Sequence, residues 1–181
     1  MLETARLRLR DACADDLDAF ARAFTDPEVM RFVGEGRPLS LDEVAAMIER
    51  IERHVADDGF GQMAVERRDD GRVIGRVGLL PLDPLTWRFG SRRRIGPQAE
   101  IEIGWTLARD AWGRGYAFEA AAAVVEWSRS ELGLTRLVSI IQVGNEPSIR
   151  LAEKLGARYE RDIVTSFGKP AYLYGMSLGA T

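Results

Sequence analysis

The chain has 181 residues, and its 46% hydrophobic content is enough for one globular domain with a full core. A formal net charge of −3 argues against DNA or another nucleic acid as the main ligand. The single cysteine, Cys13, excludes an internal disulfide. Because neither a leader-like segment nor a membrane-length apolar run occurs, we expect a soluble cytoplasmic protein with no membrane partner.

Two helical segments separate the first two predicted strands. Residues 6–10 alternate arginine and leucine, which predicts a strand with one solvent-facing side. Asp15 and Asp16 are expected to cap a short helix over 17–24. The sequence Ser40-Leu41-Asp42-Glu43 is a capping box, whose Ser and Glu side chains satisfy free N–H groups at a helix start. We therefore expect an amphipathic helix from there to about Val55.

A hairpin and a basic insert follow. Residues 62–67 and 73–80 predict two strands, and the Asp70-Gly71 dipeptide between them favours a tight turn. The polar insert 82–98 contains a basic stretch with two aromatic residues, 87–94. This stretch could steer an acidic acceptor or contact RNA, and a solvated, mobile hairpin is the alternative.

The most informative segment is Trp112-Gly113-Arg114-Gly115-Tyr116-Ala117, because of its flanks. Residues 100–107 alternate like a half-buried strand, and residues 118–127 have the composition of a helix. A strand, a glycine loop and a helix start together favour an anion, since free N–H groups and the helix dipole face it. We expect a phosphate or pyrophosphate here, with a plain tight turn as the alternative. The loop lacks both the P-loop lysine and the third glycine of the dinucleotide fingerprint.

The C-terminal part predicts three more strands and a helix. Residues 135–143 form a strongly apolar strand, and Asn145 opens a helix that ends at Gly156. Residues 159–178 predict two strands around a turn. With no repeat or linker, residues 1–181 are expected to form a single α/β domain with a mixed sheet.

The chain resembles the GNAT superfamily of acyl-CoA N-acyltransferases. The superfamily loop, [Gln/Arg]-x-x-Gly-x-[Gly/Ala], corresponds to residues 112–117, with Trp112 in place of the polar first residue. The resemblance runs from Arg6 to Leu178. It implies an α/β (α+β) fold with a mixed, mostly antiparallel central sheet, splayed central strands and flanking helices.

Further segments are similar to the branch that includes the ribosomal-protein alanine N-acetyltransferases, the Rim-type branch. These segments are Thr25–Met30, Glu102–Trp105, Asn145–Arg150 and Glu153–Gly156.

The resemblance implies acetyl-CoA as cosubstrate and no metal. The pyrophosphate is expected on four loop N–H groups, those of Gly113, Arg114, Gly115 and Ala117. The pantetheine arm is expected to pair with the backbone around Thr106 and Leu107, with the Leu107 N–H as oxyanion donor. Asn145 matches a cofactor-contacting position, although it equally suits a helix N-cap.

The reaction would be direct attack of a neutral amine on the thioester, which needs an oxyanion donor and a proton source for the thiolate. By resemblance, Ser148 is expected to hydrogen-bond the coenzyme sulfur; its alternative role is a helix cap. The tyrosine that many members use as general acid is replaced here by Ala152.

The general base is expected to be Glu102, which fits the branch pattern. Glu100 shares its strand face, and Glu160 is a further candidate by position. A solvated or salt-bridged carboxylate is the alternative for all three. Glu119 is expected to serve the helix start rather than the chemistry.

The acceptor is expected to be a primary amine, small-molecule or peptide, and a protein N-terminal α-amine is one candidate. At pH 7, deprotonating an α-amine costs about 1.4 kcal/mol, against about 4.6 for a lysine side chain. The alternatives are a polyamine, amino acid or aminoglycoside acceptor, and a non-catalytic acyl-CoA binding module. Four residues are expected near the acceptor: Arg31, Phe32, Tyr172 and Tyr174. Both a monomer and a homodimer are compatible with the sequence.

Overall fold

One sheet of eight strands organises the protein, which is described here from a computed structural model covering residues 1–179. The strands are β1 (Leu2–Glu3), β2 (Leu7–Asp11), β3 (Gln62–Arg67), β4 (Val73–Leu82), β5 (Glu100–Leu107), β6 (Arg136–Gln142), β7 (Arg158–Val164) and β8 (Pro170–Ser177). Their spatial order is β1-β2-β3-β4-β5-β6-β8-β7. Every neighbouring pair is antiparallel except β5 and β6, which are parallel. The predicted mixed, mostly antiparallel sheet is therefore confirmed.

Six helices flank the sheet: α1 (Leu17–Phe24), α2 (Pro27–Met30), α3 (Leu41–Asp58), α4 (Arg92–Ile95), α5 (Tyr116–Ser130) and α6 (Glu146–Lys154). The capping box forms as predicted, with the Ser40 N–H donating to Glu43 at 2.8 Å and the Glu43 N–H to Ser40 Oγ at 3.2 Å. Helix α3 passes Val55 and ends at Asp58, because Gly59 adopts the left-handed φ of 75° that closes a helix. No helix among residues 1–179 is long and apolar enough to cross a membrane.

The Asp16 side chain has a different role from the predicted cap of α1. It accepts from the Cys13 N–H at 3.0 Å and pairs with Arg10 at 2.7 Å, so it ties the start of the helical region to β2.

Each face of the sheet has its own apolar core. Helix α5 packs on one face, against buried residues that include Leu9, Val65, Val77, Leu79 and Ile103. Helices α1, α2 and α3 cover the other face, with buried residues that include Phe20, Phe24, Val44, Met47 and Ala64. The alternation of side chains along each strand therefore supplies apolar residues to both cores.

Strands β5 and β6 pair only briefly before they separate. Glu102 and Val138 are their one registered pair, although both strands continue beyond it. The antiparallel β4–β5 ladder fixes which backbone groups face this gap. Because the Ala108 N–H donates to the Ile74 carbonyl, alternate residues of β5, including Thr106, bond to β4. The backbone groups of Trp105 and Leu107 therefore point into the gap between β5 and β6.

Candidate active site

The glycine loop leaves a row of backbone donors free. Gly113 and Gly115 have left-handed φ values of 71° and 80°, which only glycine adopts readily, and α5 begins directly afterwards. Within the described chain, no group accepts from the N–H groups of Gly113, Arg114, Gly115 or Ala117. Free N–H groups at the start of a 15-residue helix are suited to a bound pyrophosphate.

Two contacts hold this loop in place. The Trp112 indole Nε1 donates to the Leu107 carbonyl at 2.8 Å, so the aromatic residue that departs from the superfamily motif ties the loop to the end of β5. On the other side, Arg6 donates from Nη1 to the Arg114 carbonyl at 3.0 Å. Arg6 is itself held by Glu119 at 2.6 Å. Glu119 therefore anchors the N-terminal segment to the first turn of α5, in agreement with its expected structural role.

A cavity of about 670 Å³ lies on the α3 side of the sheet and reaches the gap between β5 and β6. Three loops enclose it, the segment after α2, the insert between β4 and β5, and the β7–β8 turn. Of the residues predicted to act in the site, the cavity lining includes Glu102, Thr106, Asn145 and Ser148. Leu107 is buried beside it, with its N–H directed into the gap. Thr106 contributes its side chain, since its backbone bonds to β4.

Glu102 lies buried in the cavity floor. Its neighbour Gly104 gives it room, because a Cβ at Gly104 would stand only 3.1 Å from a Glu102 carboxylate oxygen. Burial raises the pKa of Glu102 to about 7, against the smaller opposing effects of Arg76 and the Ile140 N–H. A carboxylate whose pKa lies near 7 can accept a proton at neutral pH. A solvated glutamate has a lower pKa and is a weaker base.

Glu100 and Glu160 lie elsewhere. Both bind the Arg136 guanidinium, Glu100 at 3.2 Å and Glu160 at 2.7 Å, and neither lines the cavity. Arg136 lowers the pKa of Glu160, which makes this carboxylate a weaker base. Of the three glutamates, Glu102 alone faces the cavity within residues 1–179.

Ser148 and Asn145 have distinct local roles at the start of α6. The Asn145 side chain is the helix N-cap and accepts from the Ser148 N–H at 3.4 Å. The Ser148 Oγ instead accepts from the Trp105 indole Nε1 at 3.2 Å, across the gap. Because no group of the described chain accepts from the Ser148 hydroxyl, its proton remains available to a ligand. Ala152, at the missing tyrosine position, is fully buried.

Several cavity residues were missed at the sequence level. Arg76 and Gln62 rise from β4 and β3, and Arg50 and His54 face them from α3. The available signal was Arg76, a lone arginine within the apolar run of β4. The arginine across the cavity, Arg50, lies in a helix that is distant in sequence. His54 lies in a helix that is remote in sequence from the strands of the site, and the fold brings that helix to the cavity wall.

The predicted acceptor-side residues separate into two groups. Phe32 lines the cavity, but Arg31 does not. Tyr172 and Tyr174 pack edge-on against Tyr159, with ring centroids 5.8 and 6.1 Å apart, and lie outside the lining. The β7–β8 hairpin contributes its turn instead, through Thr165, Ser166 and Phe167.

The basic insert lies against the cavity. Trp87, Arg88 and Phe89 line the cavity, and the Arg92 N–H donates to Asp58 of α3 at 2.9 Å. This hydrogen bond ties the insert to α3. Among residues 1–179, no group of three or more His, Cys, Asp or Glu side chains is arranged to hold a metal ion.

Comparisons with known proteins identify the family and agree with the fold. The acetyltransferase (GNAT) domain family matches residues 6–158. The uncharacterised N-acetyltransferase YoaA of Bacillus subtilis is 31% identical over 88% of this chain and 84% of its own. An acetyltransferase structure from Agrobacterium tumefaciens has a TM-score of 0.77 at 28% identity, covering 97% of this chain and 92% of its own. The spermidine N-acetyltransferase of Vibrio cholerae, solved with CoA and spermine, shares the fold with a TM-score of 0.73 at 19% identity, over 97% of each chain.

Proposed function

Because the chain belongs to the GNAT acetyltransferase family and is an N-acetyltransferase, we propose that it moves the acetyl group of acetyl-CoA onto a primary amine bound in the cavity. The observation that carries this proposal is the meeting of three features at one cavity. These are a buried carboxyl group, the gap between β5 and β6, and the free hydroxyl of Ser148.

The coenzyme would be held mainly by backbone. The free N–H groups of residues 113–117 would bind its pyrophosphate, and Arg114 would add a charge-assisted contact. The pantetheine arm would pair with the gap-facing groups of Trp105 and Leu107, because the Thr106 backbone is engaged by β4. The Leu107 N–H would then stabilise the oxyanion as the thioester carbonyl is attacked.

Glu102 would act as the general base. The amine nitrogen forms the new C–N bond, the C–S bond breaks, and Glu102 takes the proton that the nitrogen loses. Its pKa of about 7 suits this step at neutral pH. An α-amine, which costs about 1.4 kcal/mol to deprotonate at pH 7, is the easier acceptor for such a base than a lysine side chain.

Ser148 would donate a hydrogen bond to the departing sulfur. The Trp105 N–H occupies an Oγ lone pair, so the hydroxyl proton can point to the thiolate. This donor would serve where other members use tyrosine.

The acceptor is proposed to be an α-amine, and the Rim-type resemblance makes a protein N-terminus one candidate. A small-molecule amine is the second candidate, since the cavity is enclosed on three sides by loops. Peptides and small amines therefore belong in the same screen.

Two measurements test the proposal. Calorimetric titration should give micromolar binding of acetyl-CoA and none of ATP or NAD. Thiol release from acetyl-CoA should then depend on an added amine, after subtraction of amine-free hydrolysis. Binding without amine-dependent release would leave a non-catalytic acyl-CoA binding module, and the absence of binding would remove the coenzyme assignment altogether.

A further inference from the structure

The cavity is richer in uncompensated positive charge than a site for a simple amine needs. Its charged and titratable lining residues are Glu35, Arg37, Arg50, His54, Arg76, Arg88 and Glu102. Arg37 is neutralised by Glu35 at 2.9 Å and by Glu43 at 2.6 Å. Among residues 1–179, the other three arginines have no carboxylate within salt-bridge distance. The acceptor end therefore attracts anions rather than polycations.

Arg76 is the most deeply placed of these cations. Its guanidinium lies over the Phe24 ring, 4.9 Å from the centroid, and donates one hydrogen bond to the Gln62 side-chain oxygen. Its Nε is shielded from solvent and has no acceptor in the described chain. A guanidinium N–H that is shielded from solvent and has no acceptor is costly unless a ligand satisfies it. A carboxylate does so best, because its two oxygens match the guanidinium fork.

Arg50 faces Arg76 from the opposite wall. It lies on α3, whereas Arg76 lies on β4. Burial lowers the pKa of Arg76, and the positive charge of Arg50 lowers it further. Two guanidinium groups that repel each other across a cavity are both stabilised by an anion between them. Burial raises the pKa of Glu102 and the charge of Arg76 partly opposes that rise, and the two arginines line the same cavity as the proposed base.

We propose that the acceptor carries a carboxylate a few bonds from its amine, bound between Arg50 and Arg76 while the amine reaches Glu102. This inference rests on the proposed function, since it defines the amine that is acetylated. Free amino acids have an amine and a carboxylate at this spacing, and so do peptides with an acidic side chain near the N-terminus. A polyamine does not.

The experiment compares matched acceptors by their kcat/KM for thiol release from acetyl-CoA. Phenylalanine is set against phenylalanine amide, and the peptide Ser-Glu-Ala amide against Ser-Gln-Ala amide. The carboxylate member of at least one pair should be favoured about tenfold or more, the value of a charge-assisted hydrogen bond. The pair in which the preference appears identifies the source, a free amino acid or an acidic peptide.

Arginine variants connect the preference to the residues. Arg76→Gln and Arg50→Gln should each reduce the carboxylate-to-amide ratio of kcat/KM to about twofold or less. The ratio within each variant is the readout, because Arg76 also acts on Glu102 and its loss changes the rate for every acceptor. Arg53→Gln is the matched control, because Arg53 lies on the same helix but outside the cavity lining and contacts Glu49 at 3.6 Å. If the Arg76→Gln variant does not fold, Arg50→Gln alone tests the inference.

The outcomes separate the inference from the function. Equal rates for carboxylate and amide members overturn the inference and leave acetyl transfer intact. If acetyl-CoA binds but none of these amines reacts, CoA-loaded protein is titrated with N-acetylphenylalanine and its amide, and no preference for the carboxylate overturns the inference. A loss of acetyl-CoA affinity in Arg76→Gln equal to its loss of acceptor affinity also overturns it, because the arginines would then serve the coenzyme. No acetyl-CoA binding by the wild type overturns both proposals.

Discussion

The glycine loop and the proposed acceptor end of the cavity would recognise their ligands by opposite means. The loop is six consecutive residues, and four of them present free backbone N–H groups at the start of α5. The acceptor end is made of side chains from β3, β4, β5, α3 and three loops. A backbone site is encoded locally by glycines, so it can be recognised in the sequence. A side-chain site exists only after distant segments have packed together.

The same contrast predicts how each region responds to substitution. Changes at the acceptor end should alter the chemistry and its pH dependence while coenzyme affinity stays constant. Changes in the loop should alter coenzyme affinity and leave the titration of Glu102 unaffected.

The largest effect is expected from Glu102→Gln, which removes the proposed base. The value of kcat/KM should fall about a hundredfold or more, the usual contribution of a general base. In the wild type, kcat/KM should rise as pH passes through about 7, where Glu102 loses its proton, and this component should be absent from the variant. Glu100→Gln is the control, because Glu100 lies on the same strand but binds Arg136. An unchanged pH profile in Glu102→Gln would remove Glu102 from the reaction.

The stability of the fold should report the same titration. Burial raises the pKa of Glu102 from 4.5 to about 7, so the folded state holds this proton more tightly than the unfolded state. The stability that this bound proton contributes is complete below about pH 4.5 and is lost as pH rises through about 7. Over that window the wild type should lose up to about 3 kcal/mol relative to Glu102→Gln. Denaturant unfolding at pH 4.5, 6 and 8 measures the difference; parallel curves would contradict the burial of an ionisable carboxyl group.

Gly113→Asp tests the loop by strain and like charge together. Gly113 has a backbone φ of 71°, which strains any other residue, and open space around its Cβ position. An aspartate side chain there would have room, but its charge would repel the pyrophosphate. Acetyl-CoA affinity should fall about tenfold or more in calorimetric titration. Gly133→Asp has a similar φ of 62° and equal space beyond the other end of α5. This control should lose comparable stability and keep its affinity; equal affinity losses in both variants would exclude a loop-specific effect.

The smallest effects are expected at the start of α6. Ser148→Ala should lower kcat about tenfold with little change in stability, because Asn145 rather than Ser148 caps the helix. Trp105→Phe, which removes the donor to Ser148, should change kcat in the same direction by less. Asn145→Ala should instead cost about 1 kcal/mol of stability. A kcat for Ser148→Ala equal to that of the wild type would reduce Ser148 to a structural residue.

Sequence patterns predicted most of the fold because the signals are local. The alternation in residues 100–107, the capping box at Ser40 and the Asp70-Gly71 turn all appear where expected. Boundaries moved only slightly, as when α3 continues past Val55 to Asp58. The role of Asp16 was mispredicted because a short acidic side chain can either cap a helix or pair with an arginine, and Arg10 on β2 is within reach.

The sequence by itself determined the order of the longer strands and helices, the glycine loop and the family, but not the short β1 and α4. Each depends on neighbours within one helical turn or one hairpin, where periodicity and backbone preference act directly. Only the tertiary structure decided that Glu102 faces the cavity while Glu100 and Glu160 bind Arg136, and that Asn145 is the cap beside a free Ser148 hydroxyl. It also brought Arg50 and Arg76 to opposite walls of one cavity. These choices arise from burial and charge pairing between residues far apart in sequence, which no local pattern encodes.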